Sequence, residues 1–278
     1  MGLFNRGKGT SAPEPAAFEP DVLPAYMTRS NDVQVTESRG RVSLQKAAGI
    51  SLAKRPVLSA HKFAVYVVGD LSPSMDGYLR DGSFDYLTDA IMALVREGNW
   101  DADGVIPLIG YSIKATSVLE IDGDSTGAGS DLRQLGINEH IGGGTVYVSG
   151  IRRFWDHYRS SADYGKYPAL VFLQSDGQDS NPAATAKLLT ELSSEPIHFV
   201  LVYYGGVDQG GQPPRDNASS MRELDQGGSM PGRKTDNVSL FIAGPEPKRV
   251  TPAELLDGLL EGPAAWLRQA PVDGVRIP

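Results

Sequence analysis

The chain has 278 residues, enough for one large domain or two small ones with a full core. It contains no cysteine, which excludes a disulfide framework, thiolate-ligated zinc or iron–sulfur centres, and thiol chemistry. Its net charge of −8 argues against a general nucleic-acid binder, because phosphate neutralisation supplies most non-specific affinity.

The charge is unevenly placed. Residues 1–60 hold eight basic and five acidic residues, a balance of +3, which leaves −11 on residues 61–278. Pro13, Pro15, Pro20 and Pro24 lie among Gly, Ala and Ser with neither helical nor strand period, so residues 1–40 are expected to form a flexible arm. The start turns basic at Arg6 and Lys8 with no apolar run behind it, so no secretory leader is expected. Arg6 also stands where a myristoylation signal has Ser or Thr. No stretch reaches the roughly 18 apolar residues of a membrane span, and the expected compartment is the cytoplasm.

In residues 41–54, Val42, Leu44, Ile50 and Leu52 alternate with polar residues around Ala47-Ala48-Gly49. That spacing predicts two short strands in a β-rich segment over 41–60. From Phe63 the pattern becomes strand and helix in turn. Phe63–Asp70 reads as a buried strand. Ser83 is placed to cap a helix carrying Phe84, Leu87, Ile91 and Val95 at helical spacing. Strands follow at Val105–Ser112 and Ser117–Ile121. A second helical stripe runs Tyr147, Ile151, Phe154, Trp155, Tyr158. Ala169–Ser175 is another buried strand, and Pro182 opens a helix with Leu188, Leu189 and Leu192 inward. Strands at Ile197–Tyr204 and Val238–Ile242 precede a capping box, Thr251-Pro252-Ala253-Glu254. Gly262-Pro263 is expected to break the last helix, leaving Trp266 and Leu267 to pack in a remnant. The alternation predicts an α/β fold: a doubly wound, mostly parallel central sheet with helices on both faces. Such sheets bind ligands outside the carboxyl ends of their strands.

Three segments fall at that edge. Asp70-Leu71-Ser72-Pro73-Ser74 follows the first strand, Gly142-Gly143-Gly144-Thr145 precedes a helix, and Ser175-Asp176-Gly177 follows the strand ending at Ser175. They offer carboxylates and hydroxyls with no nitrogen or sulfur, the donor set of a hard divalent cation such as Mg²⁺, Mn²⁺ or Ca²⁺. Two aspartates balance a +2 charge, and neutral hydroxyls complete the shell. This pattern resembles the metal-ion-dependent adhesion site of von Willebrand factor A (vWA) domains. The resemblance implies that Asp70, Ser72, Ser74, Thr145 and Asp176 ring the ion, some through water. A partner protein's Asp or Glu would fill the remaining position. Pro73 stands where that family usually has Gly. The likeness covers about residues 61–270, leaving 271–278 as a tail.

The C-terminal part, with Met221-Arg222-Glu223-Leu224-Asp225, Gly232-Arg233 and Thr235-Asp236-Asn237-Val238-Ser239-Leu240-Phe241, resembles the A domains of bacterial tellurium-resistance (TerF-like, copine-like) proteins. The echo of Val42-Ser43-Leu44-Gln45-Lys46 in Ile50-Ser51-Leu52-Ala53-Lys54 resembles the opening strands of a TerD-type domain. The resemblance implies a metal-dependent protein–protein interaction module in a tellurium-resistance or stress-response assembly, possessing no catalytic residues, with other tellurium-resistance proteins as partners.

Other motifs fall short. Asp122-Gly123-Asp124 starts like an EF-hand loop, but Arg133 occupies the place of the bidentate Glu. The Gly142–Gly144 run lacks the Lys-Ser/Thr of a P-loop; its glycines would let the backbone pass near a metal and place Thr145 as ligand and helix N-cap. Asp76 and Asp179 flank the metal loops and would either tune the site from behind its ligands or simply solvate it, with solvation the expectation. A metal-assisted phosphohydrolase using Asp70 and Asp176 is a second reading, though Ser72 stands where such an enzyme carries a second Asp as general acid. A metal-free structural role in a larger particle is a third.

Overall fold

The computed structural model of the chain describes residues 40–100, 104–122, 127–205, 219–226 and 230–278. The arm expected over 1–40 lies outside them up to residue 39, as do residues 123–126 of the loop that starts at Asp122.

Six strands make one sheet in the order β3-β2-β1-β4-β5-β6. They are β1 (Ala64–Asp70), β2 (Val105–Tyr111), β3 (Ala115–Asp122), β4 (Ala169–Ser175), β5 (Ile197–Tyr203) and β6 (Val238–Ile242). Only β3 runs antiparallel to its neighbour; the other pairings are parallel. Strands β1, β4 and β5 are buried along their whole length. Their near-continuous apolar composition follows from helices on both faces. Alternate side chains feed two cores. Val65, Val67, Leu170, Phe172 and Val200 face one side; Tyr66, Val68, Val171, Leu173 and Phe199 face the other.

The first core is closed by α1 (residues 40–53), α2 (Pro56–Ser59), α3 (Asp76–Arg80), α4 (Ser83–Gly98), α5 (Ala128–Asn138) and α9 (Pro252–Gln269). The second is closed by α6 (Tyr147–Ser160), α7 (Pro182–Leu192) and α8 (Ser219–Asp225). This is the doubly wound α/β architecture expected. Among the described residues no helix is long and apolar enough to cross a membrane.

Four expectations need correction. The β-rich segment over 41–60 is helical. Leu44, Ala48 and Leu52, four residues apart, are buried, while Val42 (50% exposed) and Ile50 (60%) face outward. The strand period takes in all the even-numbered apolar positions, the helical period only Leu44, Ala48 and Leu52, and burial follows the helical one. Residues 40–278 accordingly form one compact unit, in which Arg55 and Lys54 clasp Asp257 of α9 at 2.7 Å each. The final helix is not broken at Gly262-Pro263. It continues to Gln269, with Pro263 buried between Leu259, Leu260 and Ala264, Trp266, Leu267. Packing on both sides of the proline outweighs its missing N–H. Ser83 is the first residue of α4 and not its cap; the Asp81 carboxylate accepts its N–H at 2.8 Å. The last residues are not a loose tail, since Val275 is buried and Asp273 accepts from Thr235 and Gln269.

Candidate metal centre

The strand order reverses between β1 and β4, so their carboxyl ends lie side by side at the switch point of the sheet. Asp70 ends β1 and Ser175 ends β4. The Ser175 hydroxyl donates to Asp70 Oδ2 at 2.5 Å, and the Ser72 backbone N–H donates to Oδ1 at 2.7 Å. Pro73 opens a 3₁₀ turn, Pro73–Met75, a position that suits its fixed φ and missing N–H. The turn folds Ser74 back over Ser72, with the two hydroxyls 3.1 Å apart. The Ser74 hydroxyl donates to Asp176 Oδ1 at 2.9 Å. Four of the five expected residues therefore form one hydrogen-bonded cluster of oxygens.

Thr145 reaches the same edge on the glycine run. Gly142 (φ 88°) and Gly144 (φ 153°) occupy backbone that favours glycine. Ser112 holds this run by donating its hydroxyl to the Gly144 carbonyl at 2.7 Å, and the Ser180 N–H donates to the Thr145 carbonyl at 2.7 Å. The Thr145 hydroxyl stands against Gly177, where an added Cβ would lie 3.5 Å from it. Thr145 is not the N-cap of α6; that place is held by Val146, which has no capping side chain.

Asp179 meets the start of α6 instead. It is buried, not solvated as expected, and accepts hydrogen bonds from the N–H groups of Tyr147 (3.3 Å) and Asn181 (3.0 Å) and the Thr185 hydroxyl (2.5 Å). It braces α6 against α7. Asp76 lies outside the cluster, paired with Arg133 at 2.5 Å and Arg80 at 2.8 Å. The hydrogen bond from Arg133 is the main reason its carboxyl sits below the ordinary range.

Burial dominates the electrostatics. It pushes the Asp70 carboxyl up to about 7, against the lowering effect of hydrogen bonds from Ser175 and Ser72, and the nearby Asp176 charge adds to the rise. Asp176 is raised as well, again chiefly by burial. Among the described residues neither carboxylate is paired with a cationic side chain. Nor do three His, Cys, Asp or Glu side chains converge anywhere among them to hold a metal. A buried and an adjoining half-buried carboxylate, ringed by hydroxyls and without a cation, fit a hard divalent ion, which would supply the missing positive charge.

Sequence reasoning missed the roles of three residues here, Ser175, Tyr111 and Tyr147, and misjudged a fourth, Asp179. Ser175 is the hydroxyl that holds Asp70, and Asp179 is the brace. Tyr111, opposite Asp70 in the β1–β2 register, is buried with its hydroxyl unpartnered, while Tyr147 donates to the Gly177 carbonyl at 2.6 Å. All but Asp179 stand at a strand end or a helix start on this edge. The histidines stay apart: His198 is buried on β5, against the Ser239 hydroxyl at 3.0 Å, and His140 is exposed beyond α5.

A family model described as "vWA-TerF-like: vWA found in TerF C terminus" matches residues 62–276. The chain belongs to the vWA-TerF-like family. No curated protein is significantly similar to it in sequence. Among solved structures, this vWA-TerF-like chain is similar to a point mutant of the PilB minor pilin from Streptococcus sanguinis. Identity is 14% and TM-score 0.42, over 78% of this chain and 64% of that one. It is also similar to PilB without that mutation (12% identity, TM-score 0.40, 78% and 62%). A third is the pilus adhesin SpaC from Lactobacillus rhamnosus GG in its open conformation (16%, 0.37, 74% and 30%). The vWA-TerF-like chain spans less than two thirds of each of these chains.

Proposed function

We propose that this domain is a protein-interaction module that takes up a partner protein's Asp or Glu through a divalent cation. Asp70, Ser72, Ser74, Thr145 and Asp176 would hold the ion, with Mg²⁺ the first candidate and Mn²⁺ or Ca²⁺ the alternatives. The observation that carries this is the oxygen cluster at the β1–β4 switch point, with one buried and one half-buried carboxylate and, among the described residues, no cationic side chain on them. The bound ion would supply a positive centre for one further anionic oxygen. The chain's own contribution is to hold the donors: Ser175 orients Asp70, the Pro73–Met75 turn brings Ser72 and Ser74 together, and the glycine run presents Thr145.

Membership of the vWA-TerF-like family supports a place in a bacterial tellurium-resistance or stress-response assembly in the cytoplasm, with other tellurium-resistance proteins as partners. We read the domain as a binder, not an enzyme. The hydrogen bonds to Asp70 come from the Ser175 hydroxyl and the Ser72 backbone N–H, and neither is a general acid or base for phosphoryl chemistry. Calorimetric titration with Mg²⁺ and Mn²⁺ should give binding heat with the native chain and none with Asp70→Ala. Equal heats from the two proteins would remove the proposal.

A further inference from the structure

Beside the Ser72–Ser74 turn the surface opens into a groove of about 400 Å³ between the end of β1, α3 and α5. It shares Ser72 and Pro73 with the candidate metal centre. Its floor is aliphatic, made by Leu71, Leu79 and Ile141. Ile137 stands on the rim, 50% exposed. Ile113, 54% exposed, stands just across Gly142, where an added Cβ would lie 3.2 Å from the isoleucine Cδ1. A single exposed isoleucine is ordinary. Two of them flanking the loop that delivers Thr145, with an apolar hollow alongside, make a local apolar surface of the kind that marks an interaction site.

The formal charges that line the groove cancel, and a second arginine stands beside them. Asp76, Arg133 and His140 line it, and Asp76 is shared between Arg133 and Arg80. The two arginines and one aspartate sum to +1 on a chain of net charge −8. The residue that ends α5 is also unusual. The Ile141 N–H reaches the Gly136 carbonyl and the His140 N–H reaches the Ile137 carbonyl, the Schellman pattern, with His140 at φ 50° where glycine is the usual choice. An imidazole therefore borders the groove at a position that backbone preference alone would give to glycine.

We infer that this groove seats the segment that brings the carboxylate: an extended acidic peptide carrying an aliphatic or aromatic side chain within two residues of the Asp or Glu. The inference rests on the metal–carboxylate reading above. Charge complementarity favours an acidic segment, because the Asp76–Arg133–Arg80 cluster at the groove carries +1 on an acidic chain. Continuity selects the neighbour, because Ser72 and Pro73 belong to both the centre and the groove. In extended chain, residues one and two places along lie about 3 and 7 Å away, so a side chain next to the acid falls into the groove. Pro73, the departure from the family pattern, forms part of its wall.

The test is a selection of random short peptides displayed on phage against the full chain in Mg²⁺, followed by fluorescence anisotropy with the enriched peptides. The expected peptides carry Asp or Glu with Leu, Ile, Phe or Trp one or two places away. Ile137→Asp, and Ile113→Ser as a second variant with a smaller change, should each weaken such a peptide by about tenfold or more while leaving the calorimetric Mg²⁺ heat unchanged. Replacing the peptide's apolar residue by Gly should cost the native chain as much and the Ile137→Asp variant little more. No enriched peptide, enriched peptides without the apolar neighbour, or equal affinity for native and Ile137→Asp chains would overturn the groove. Absence of Mg²⁺ heat from the native chain would instead overturn the reading beneath it.

Discussion

Asp179 is a carboxylate whose value is wholly in its partners. Removing it in Asp179→Ala strands the Tyr147 and Asn181 N–H groups and the Thr185 hydroxyl in a buried loop. Unpaired buried donors, less what solvent recovers, should lower stability by about 3 kcal/mol. Urea unfolding would measure it, and a loss below about 1 kcal/mol would show that the loop relaxes instead. His140 makes the opposite case. Its backbone lies at φ 50° at a helix end, so His140→Gly should raise stability by about 1 kcal/mol in the same assay. No gain there would mean that the imidazole compensates its own strain. These two residues also mark what could be read in advance. The grouping of Asp70, Ser72 and Ser74 was legible because they follow a strand end two residues apart, where a short turn keeps them together. Asp176 and Thr145 were legible from the serine and glycines beside them. Ser175 and Tyr111 gain their roles from strands paired with β1, a neighbourhood that no local spacing encodes. Asp179 was misjudged because loop aspartates are usually solvated, and this one is enclosed by two helix starts.

The elements differ in how far composition betrays them. β1, β4 and β5 were legible because burial on both faces leaves an uninterrupted apolar run. α1 was not, because Ala47 and Ala48 read as a turn yet Ala48 is a core position. Its helical state is decided by the burial of Leu44, Ala48 and Leu52 in the first core, which local pattern does not contain. α9 itself shows packing overruling propensity at three positions, Pro263 and two glycines. An added Cβ at Gly258 would meet the Phe241 ring at 2.3 Å, and at Gly262 it would meet Ser239 Oγ at 2.0 Å and Cβ at 2.2 Å. By propensity alone Gly262→Ala should gain about 1 kcal/mol. Ser239 is fixed on β6, so the overlap must move backbone, at a cost of about 1–3 kcal/mol. A net loss is expected. Gly49→Ala in α1 meets only Glu97 Oε2 at 3.5 Å, ordinary contact, and should show the bare gain. Thermal unfolding of the pair is the check, and shifts of the same sign would refute the argument.

At the scale of the whole molecule, two buried groups pull the pH dependence of stability in opposite directions. Burial, helped by the Arg233 charge, pushes the His198 imidazole down to about 3 from an ordinary 6.5. Between those values the unfolded chain binds a proton that the folded chain refuses. Stability therefore rises with pH across that window, by about 1.4 kcal/mol per unit, and is lost as the medium is acidified. Asp70, raised from 3.8 to about 7, does the reverse: the folded chain holds the extra proton, and its contribution is lost as pH rises. From about 3.8 to about 6.5 the two slopes nearly cancel, so the native chain alone would hide both. Asp70→Asn removes one of them. In that background stability should climb with pH between about 4 and 6, and adding His198→Gln, which can still meet the Ser239 hydroxyl, should flatten the climb by about 1.4 kcal/mol per unit. Denaturant midpoints at several pH values give both slopes, and identical slopes for the single and double variants would mean that His198 keeps its proton in the fold. The carboxylates that salt bridges hold low, such as Asp257 at about 2, add a climb of the same sign at more acid pH. They are common to both variants, so the difference between slopes belongs to His198 alone.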